Sequence, residues 1–595
     1  MRSILSPVLS PVLSLFLLLP APAMAAPDPK ATQALHALFD ADWERQLREN
    51  PIGASYLGDE RYNDRWPDLS PAAISAQEQE VRDSRATLLT INRDALSAAD
   101  QLNYDIYLYQ LDDNIAGFRF PTEDMPVTHD SGVHVIADQM MQALRFDKTK
   151  DYADWLARLR GYGTLVDQNI ALMREGLRKG WTPPKAIMQR VPAQIAAQLV
   201  ADPEKSSYYA PFVTMSANVP AAEQARLRAD AKAAVSEVVL PAIGRFQTFF
   251  DNEYLPHCRD TVAAGDLPDG KAYYDYLAQS YTTTHLSAAQ IHAIGLSEVA
   301  RIHAEMEKIR VEVGFKGDLP AFFTYLRTDP KFHYNDGATL LTAYRALAKR
   351  IDPELTRLFG TLPREPYGVV PIPDALAPDT TTAYYNGGSA DGRRSGNYYV
   401  NLYKPETRLI WEMLPLTLHE SVPGHHLQIS LANELPDQPM FRRQAGFTAF
   451  VEGWALYAEQ LGYDVGLYND PYDRMGQLSY EMWRAVRLVV DTGMHSEGMS
   501  RQQAIDYFEA NVPKSEHDIV NEVDRYLSTP GQALAYKIGQ MKISELRAKA
   551  KARLGDRFDL RAFHDALLGA GALPLSVLEQ RMDAWIDAQA AVKKS

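Results

Sequence analysis

Apolar positions recur at three- and four-residue intervals along most of the chain, and this spacing predicts helix after helix. The clearest case is residues 286–314. There Ile291, Ile294, Val299, Ile302, Met306, Ile309 and Val313 follow Ser287 and Gln290, an S-x-x-Q capping box, and Gly314 supplies the stop. Ser500 and Gln503 repeat the start signal ahead of Ala504 to Ala510, and further helices are expected over 32–50, 152–180, 221–254 and 576–591. Two-residue alternation is scarce. After a loop rich in Thr, Gly and Ser at 376–396, the run Asn397-Tyr398-Tyr399-Val400-Asn401-Leu402 favours a short strand. The expected fold class is therefore mainly α with a small sheet. A working division near residue 285 separates an N-terminal helical lobe (26–285) from a C-terminal one (286–595), and the two can equally form one continuous domain.

Composition narrows the function. With 595 residues, 46% hydrophobic and 23% charged, the chain is an ordinary folded protein, and a net charge of −15 argues against nucleic acid as a partner. Met1-Arg2, a Leu- and Val-rich run to Leu19 and Ala23-Met24-Ala25 read as a signal peptide cut after Ala25, which places the mature protein in the periplasm or outside the cell. Pro7, Pro11, Pro20 and Pro22 break a run already short of the roughly 20 apolar residues of a membrane span. No cysteine lies near the cut, so no stable membrane anchor is expected. Cys258 is the single cysteine, which excludes an internal disulfide.

Chemistry is densest at Leu418-His419-Glu420-Ser421-Val422-Pro423-Gly424-His425-His426. Neutral imidazoles and a carboxylate are the ligand set of catalytic zinc, and a glutamate beside the first histidine can take a proton from an attacking water. Glu420 is that candidate base. The spacing departs from H-E-x-x-H, whose histidines share a helix face. His419 and His425 would sit about 240° apart on an unbroken helix, and His426 would lie about 10.5 Å along it. Pro423 and Gly424 can break the helix between them. His425 is the preferred second ligand, with His426 as the alternative or as support. Glu452, in Val451-Glu452-Gly453-Trp454-Ala455-Leu456-Tyr457-Ala458-Glu459, is the candidate third ligand on a returning helix, and Glu459 can orient a ligand histidine.

These strings, together with Asp491-Thr492-Gly493-Met494-His495, Glu522-Val523-Asp524-Arg525-Tyr526 and Pro530-Gly531-Gln532-Ala533-Leu534-Ala535-Tyr536-Lys537-Ile538-Gly539, resemble the bacterial family called domain of unknown function 885. That family is similar to gluzincin-type zinc metallopeptidases, among them angiotensin-converting-enzyme-like and thermostable carboxypeptidases. The resemblance implies a large helical fold with a central channel, one zinc per chain on His419 and Glu452, and Glu420 as base. Arg525-Tyr526 resembles the Arg-Tyr pair of the converting-enzyme group, so Tyr526 is expected to donate to the oxyanion. His495 and His517 are second candidates for that role, and Tyr536 is a further one. Tyr398 and Asn401, by position, could line a substrate-binding strand.

The expected activity is a secreted zinc metallopeptidase acting on short peptides, as a carboxypeptidase or dipeptidase. The alternatives are a metal-dependent hydrolase of another amide or ester, and a non-catalytic exported peptide-binding protein. A serine hydrolase is disfavoured, because Gly387 to Asp391 reads G-G-S-A-D instead of the G-x-S-x-G elbow that would expose Ser389.

Overall fold

The computed structural model describes residues 27–374, 377–389, 392 and 394–591. The expected signal peptide lies outside them. The protein is 71% helical with one small three-stranded sheet. Ser287 caps Ala288–Glu312 in a capping box with Gln290, and Gly314 follows with φ 74°. Ser500 and Gln503 form a second box ahead of Arg501–Asn511. The expected helices at 32–50 and 152–180 are Pro29–Glu49 and Thr149–Lys179, the latter closed by Gly180 in the left-handed region. The stretch 221–254 is helical throughout but wider in two places, with π turns at Val235–Val239 and Phe250–Tyr254.

The sheet has the order β1-β3-β2, from Tyr367–Pro371 (β1), Ala383–Asn386 (β2) and Gly396–Val400 (β3). β1 pairs with β3 in parallel and β2 pairs with β3 antiparallel, in the register Tyr385 opposite Tyr398. Tyr398 and Val400 pack with Tyr344, Met413 and Leu416, so the sheet backs directly onto the helix that carries His419.

Two large apolar cores hold the rest. One joins Trp155, Tyr162 and Phe250 to Met306, Val486 and Tyr526; the other joins Leu35 and Tyr107 to Leu418, Trp454 and Leu546. Each fully buried side chain of this size stabilises the fold by about 1.5–3 kcal/mol, and both cores draw on residues from either side of 285.

Four helices position the site. Met413–Glu420 ends in His419 and Glu420, and His425–Asn433 starts with His425. Thr448–Asp464 carries Glu452 and Glu459 and is called the glutamate helix below. Leu534–Leu554, the tyrosine helix, carries Tyr536. The last two cross at glycines: a β-carbon on Gly453 would lie 2.6 Å from the Cα of Gly539, and one on Gly539 would collide with the carbonyl of Ala449. Only glycine lets the two backbones approach this closely.

Candidate metal centre

The helix that begins at Met413 stops at Glu420, and after four intervening residues a second begins at His425. Between them Ser421 still donates to the carbonyl of Thr417, the Val422–Pro423 peptide is cis, and the amide of His426 reaches back to Ser421. Gly424 passes so close to His419 that a β-carbon would collide with its carbonyl oxygen. Trp454 Nε1 donates to the carbonyl of Pro423 at 2.8 Å, which fastens this loop to the glutamate helix.

The turn brings His419 and His425 together with rings 4.8 Å apart and perpendicular, at 89°. Glu452 Oε2 lies 3.6 Å from His419 Nε2 and 3.4 Å from His425 Nε2. One ligand atom from each of the three residues falls within 4.8 Å of the others. Bonds of about 2.0–2.1 Å in a tetrahedron place neighbouring ligand atoms about 3.3–3.4 Å apart, so the spacing suits a zinc-sized ion. Glu452 Oε2 is buried without a hydrogen-bond partner, a costly state for a carboxylate oxygen that a cation would relieve.

Behind the triad, Glu459 is fully buried and its Oε1 lies 2.8 Å from His419 Nδ1. In the neutral imidazole that a metal requires, this bond keeps the proton on Nδ1 and leaves Nε2, which faces Glu452, to bind the ion. Arg484 Nη2 stands 3.8 Å from the same Glu459 oxygen. Burial opposes a charged imidazole at His419, yet Glu452 and Glu459 outweigh it and hold its pKa at about 9. Glu452, despite its own burial, is held well below the usual carboxylate range by His425 and His419. The pocket therefore favours positive charge, which a proton or a metal cation can supply.

The family model described as "Bacterial protein of unknown function (DUF885)" matches residues 51–582. The chain belongs to the DUF885 family. This DUF885 chain is similar in structure to a protein described as "the putative lipoprotein from Colwellia psychrerythraea", at TM-score 0.89 and 29% identity over 94% of this chain and 99% of that one. A second protein, "a putative lipoprotein of unknown function from Shewanella oneidensis", shares the fold at TM-score 0.68 and 18% identity over 93% and 99% of the two chains. Comparison with the curated proteins finds no match.

The remaining sequence candidates of the DUF885 chain fall in different places. His426 points away from the triad: Nδ1 lies 2.8 Å from the Tyr385 hydroxyl, Nε2 lies 3.1 Å from the carbonyl of Glu365, and burial pushes its pKa down to about 4. If the triad holds a metal, His425→Ala is expected to lose it and His426→Ala to retain it; elemental analysis of both variants decides, and metal loss only in His426→Ala would reverse the assignment. His495 accepts from the amide of Ala264 at Nδ1 (2.9 Å) and reaches the carbonyl of Tyr526 through Nε2 (3.0 Å), so both ring nitrogens serve the backbone and neither is left for a substrate oxyanion. His517 is exposed and contacts Asn521.

Tyr526 is buried. Its hydroxyl accepts from Arg487 Nε at 2.9 Å and donates to Glu522 Oε1 at 2.7 Å, while Arg525 binds the same glutamate at 2.7 Å. Tyr536 is only half-buried, with its ring 4.2 Å from the Arg487 guanidinium, and after burial the carboxylate of Glu452 is the next influence raising its hydroxyl pKa. Arg484 and Arg487, an R-x-x-R pair on one face of Pro471–Ser496, were not singled out from the sequence, although their i,i+3 spacing just ahead of Asp491 is visible there.

The substrate-strand expectation changes too. Tyr398 and Asn401 are buried, and the Asn401 side chain donates to the carbonyls of Ala377, Thr380 and Thr381. β3 is the middle strand, so both its edges are already paired and a peptide could add only to β1 or β2. None of the triad lines the cavity of about 780 Å³ that opens where the glutamate helix begins, although Thr448 of that helix does.

Proposed function

We propose that the chain is an exported zinc-dependent peptidase acting on short peptides. The observation that carries this reading is the convergence of His419, His425 and Glu452, whose buried Oε2 faces both imidazoles, with Glu420 next in sequence to the first ligand. The bound ion would lower the pKa of a water molecule and polarise the scissile carbonyl. Glu420 takes a proton from the attacking water and delivers it to the leaving amine. His419 is kept in the correct tautomer by Glu459. The Tyr526 hydroxyl is already engaged by Glu522 and Arg487, so the donor to the developing oxyanion is assigned to Tyr536, whose hydroxyl pKa is raised by burial and by the charge of Glu452. Extended substrate can pair with the free edge of β2. Export is supported by the leader pattern of residues 1–25 and by the description of the two similar structures as lipoproteins. Among the described residues no helix is long and apolar enough to cross a membrane.

Elemental analysis of the mature protein should find about one zinc per chain, with cleavage of short peptides abolished by chelation and restored by zinc. Tyr536→Phe should lower kcat by about 10²–10³-fold with metal retained, as for a lost oxyanion donor. Absence of metal after reconstitution would favour the non-catalytic binding protein, and a kcat loss in Tyr526→Phe alone would return the donor role to Tyr526.

A further inference from the structure

Three guanidinium groups gather about the two tyrosines beside the triad. Arg487 stands 4.2 Å and Arg484 6.0 Å from the centre of the Tyr536 ring, and Arg525 stands 5.1 Å from that of Tyr526. One carboxylate serves two of them: Glu522 accepts from Arg487 at 2.6 Å and from Arg525 at 2.7 Å. Arg484 has none of its own. Its closest approach to a carboxylate is the 3.8 Å to Glu459 Oε1, beyond hydrogen-bond distance, and that oxygen is already bonded to His419. Among the described residues its one hydrogen bond runs from Nη1 to the carbonyl of Tyr480, at 3.3 Å.

A guanidinium carries several N–H donors in a rigid fork and cannot shed its charge. Arg484 and Arg487 are each only 6% exposed, and Nε of the first and Nη1 of the second are buried with no acceptor, a costly state for a charged group. The faces of Tyr480, at 4.8 Å, and Tyr536 attract the charge of Arg484 but do not fill the fork. Both arginines are close to the chemistry. The steps of 3.8 Å from Arg484 to Glu459 and 2.8 Å on to His419, with the width of an imidazole and a bond of about 2.0–2.1 Å, keep the guanidinium within about 11 Å of an ion on the triad. An extended peptide advances about 3.3–3.6 Å per residue, so a carboxylate bound there ends the chain one or two residues past the scissile bond. Solvent reaches this region: Glu452, Tyr536, Arg525 and the Gln532 that Arg525 holds at 2.7 Å are part-exposed, whereas their neighbours Gly453, Ala535, Lys537 and Tyr526 are buried.

We infer that Arg484 and Arg487, with Arg525 beside them, form a subsite for a peptide carboxylate, which the terminal carboxylate of a substrate fits best, so that the protein removes one or two residues from that end. A carboxylate matches a guanidinium fork with two parallel hydrogen bonds. A chain end needs room on one side only, which suits donors as buried as these. The inference rests on the peptidase reading above.

The test uses the full mature protein carrying Glu420→Gln, chosen to bind without turnover, and N-acetylated alanine tripeptides titrated by calorimetry. One ends in a free carboxylate, one in an amide, and one in an amide with Asp as its last residue. The free acid is expected to bind about tenfold or more tighter than the amide, as for hydrogen bonds to a charged group. If the Asp amide binds like the free acid, side-chain carboxylates are accepted as well; if it binds like the plain amide, the site is confined to the terminus; both support a carboxylate subsite. Arg484→Gln should lower the affinity for the free acid to that of the amide and leave the amide's own affinity unchanged, a split that a merely structural role would not produce. Equal affinity for free acid and amide, or a preference that survives Arg484→Gln combined with Arg487→Gln, overturns the inference. If thermal melting shows that the variants do not fold, the ranking without them decides, together with the cleavage position that mass spectrometry reads in the parent protein. A protein that cleaves free acids and amides alike sinks the subsite and leaves the peptidase, whereas one that ranks them in binding but cleaves neither does the reverse.

Discussion

On the proposed peptidase reading, Glu420→Gln will retain metal and lose peptide turnover by about 10²–10⁴-fold, the contribution of a positioned general base. Glu420 is the last residue of its helix, 8% exposed, and it adds no ligand atom to the triad. The amide has the same shape and keeps the fold, but it cannot accept a proton from water near neutral pH. Single-turnover kinetics beside elemental analysis separates the two effects. Turnover like that of the parent protein would exclude Glu420 as base, and loss of metal would show that its charge supports the site in another way.

Gly424→Ala is the second large effect. The obstacle to a β-carbon is main chain on two sides, the carbonyl of His419 and the carbonyl of Leu418 at 2.5 Å, so no side-chain rotation can relieve it. The far side of the loop is tied to Trp454 through Pro423. What can yield is the backbone under His419 or His425, which separates the ligands. Overpacking in a core that can adjust costs about 1–3 kcal/mol, and this position should cost at least as much and weaken metal retention tenfold or more. Gly244→Ala is the control: nothing lies within 4 Å of a β-carbon there, and alanine in that helix should stabilise by about 0.5–1 kcal/mol. Parallel thermal melts and metal titrations measure both, and full metal affinity in Gly424→Ala would refute the account of the loop.

The helices were legible because their information is local. Ser287 with Gln290 and Ser500 with Gln503 start helices where their capping boxes indicate, and Gly180 and Gly314 stand at the stops. The π turns in 235–254 left no trace in spacing, because one extra residue per turn barely alters an apolar stripe. The break at Pro423-Gly424 was legible as a need, since unbroken helix cannot bring His419 and His425 to one ion. Which histidine turns inward was not, because the groups that hold His426 away, Tyr385 and Glu365, lie 41 and 61 residues from it. The place of β3 between two other strands was hidden for a similar reason: β1 pairs with it from 29 residues upstream, and its five residues Tyr367-Gly368-Val369-Val370-Pro371 are too short a run to reveal that partner. Tyr526 and Tyr536 show the limit of motif position. Both sit in characteristic strings, and only the structure shows the hydroxyl of the first bonded to Glu522 and Arg487.

The glycine crossing of the glutamate and tyrosine helices bears on motion. Glu452 precedes Gly453 by one residue and Tyr536 precedes Gly539 by three, so the candidate ligand and the proposed donor hang from the two helices of a single main-chain junction. Interlocked backbones resist sliding, and the two groups should travel as one rigid body during any breathing of the protein. Adjustment to substrates of different bulk would then fall to the other half of the centre, the histidine turn and the sheet behind it.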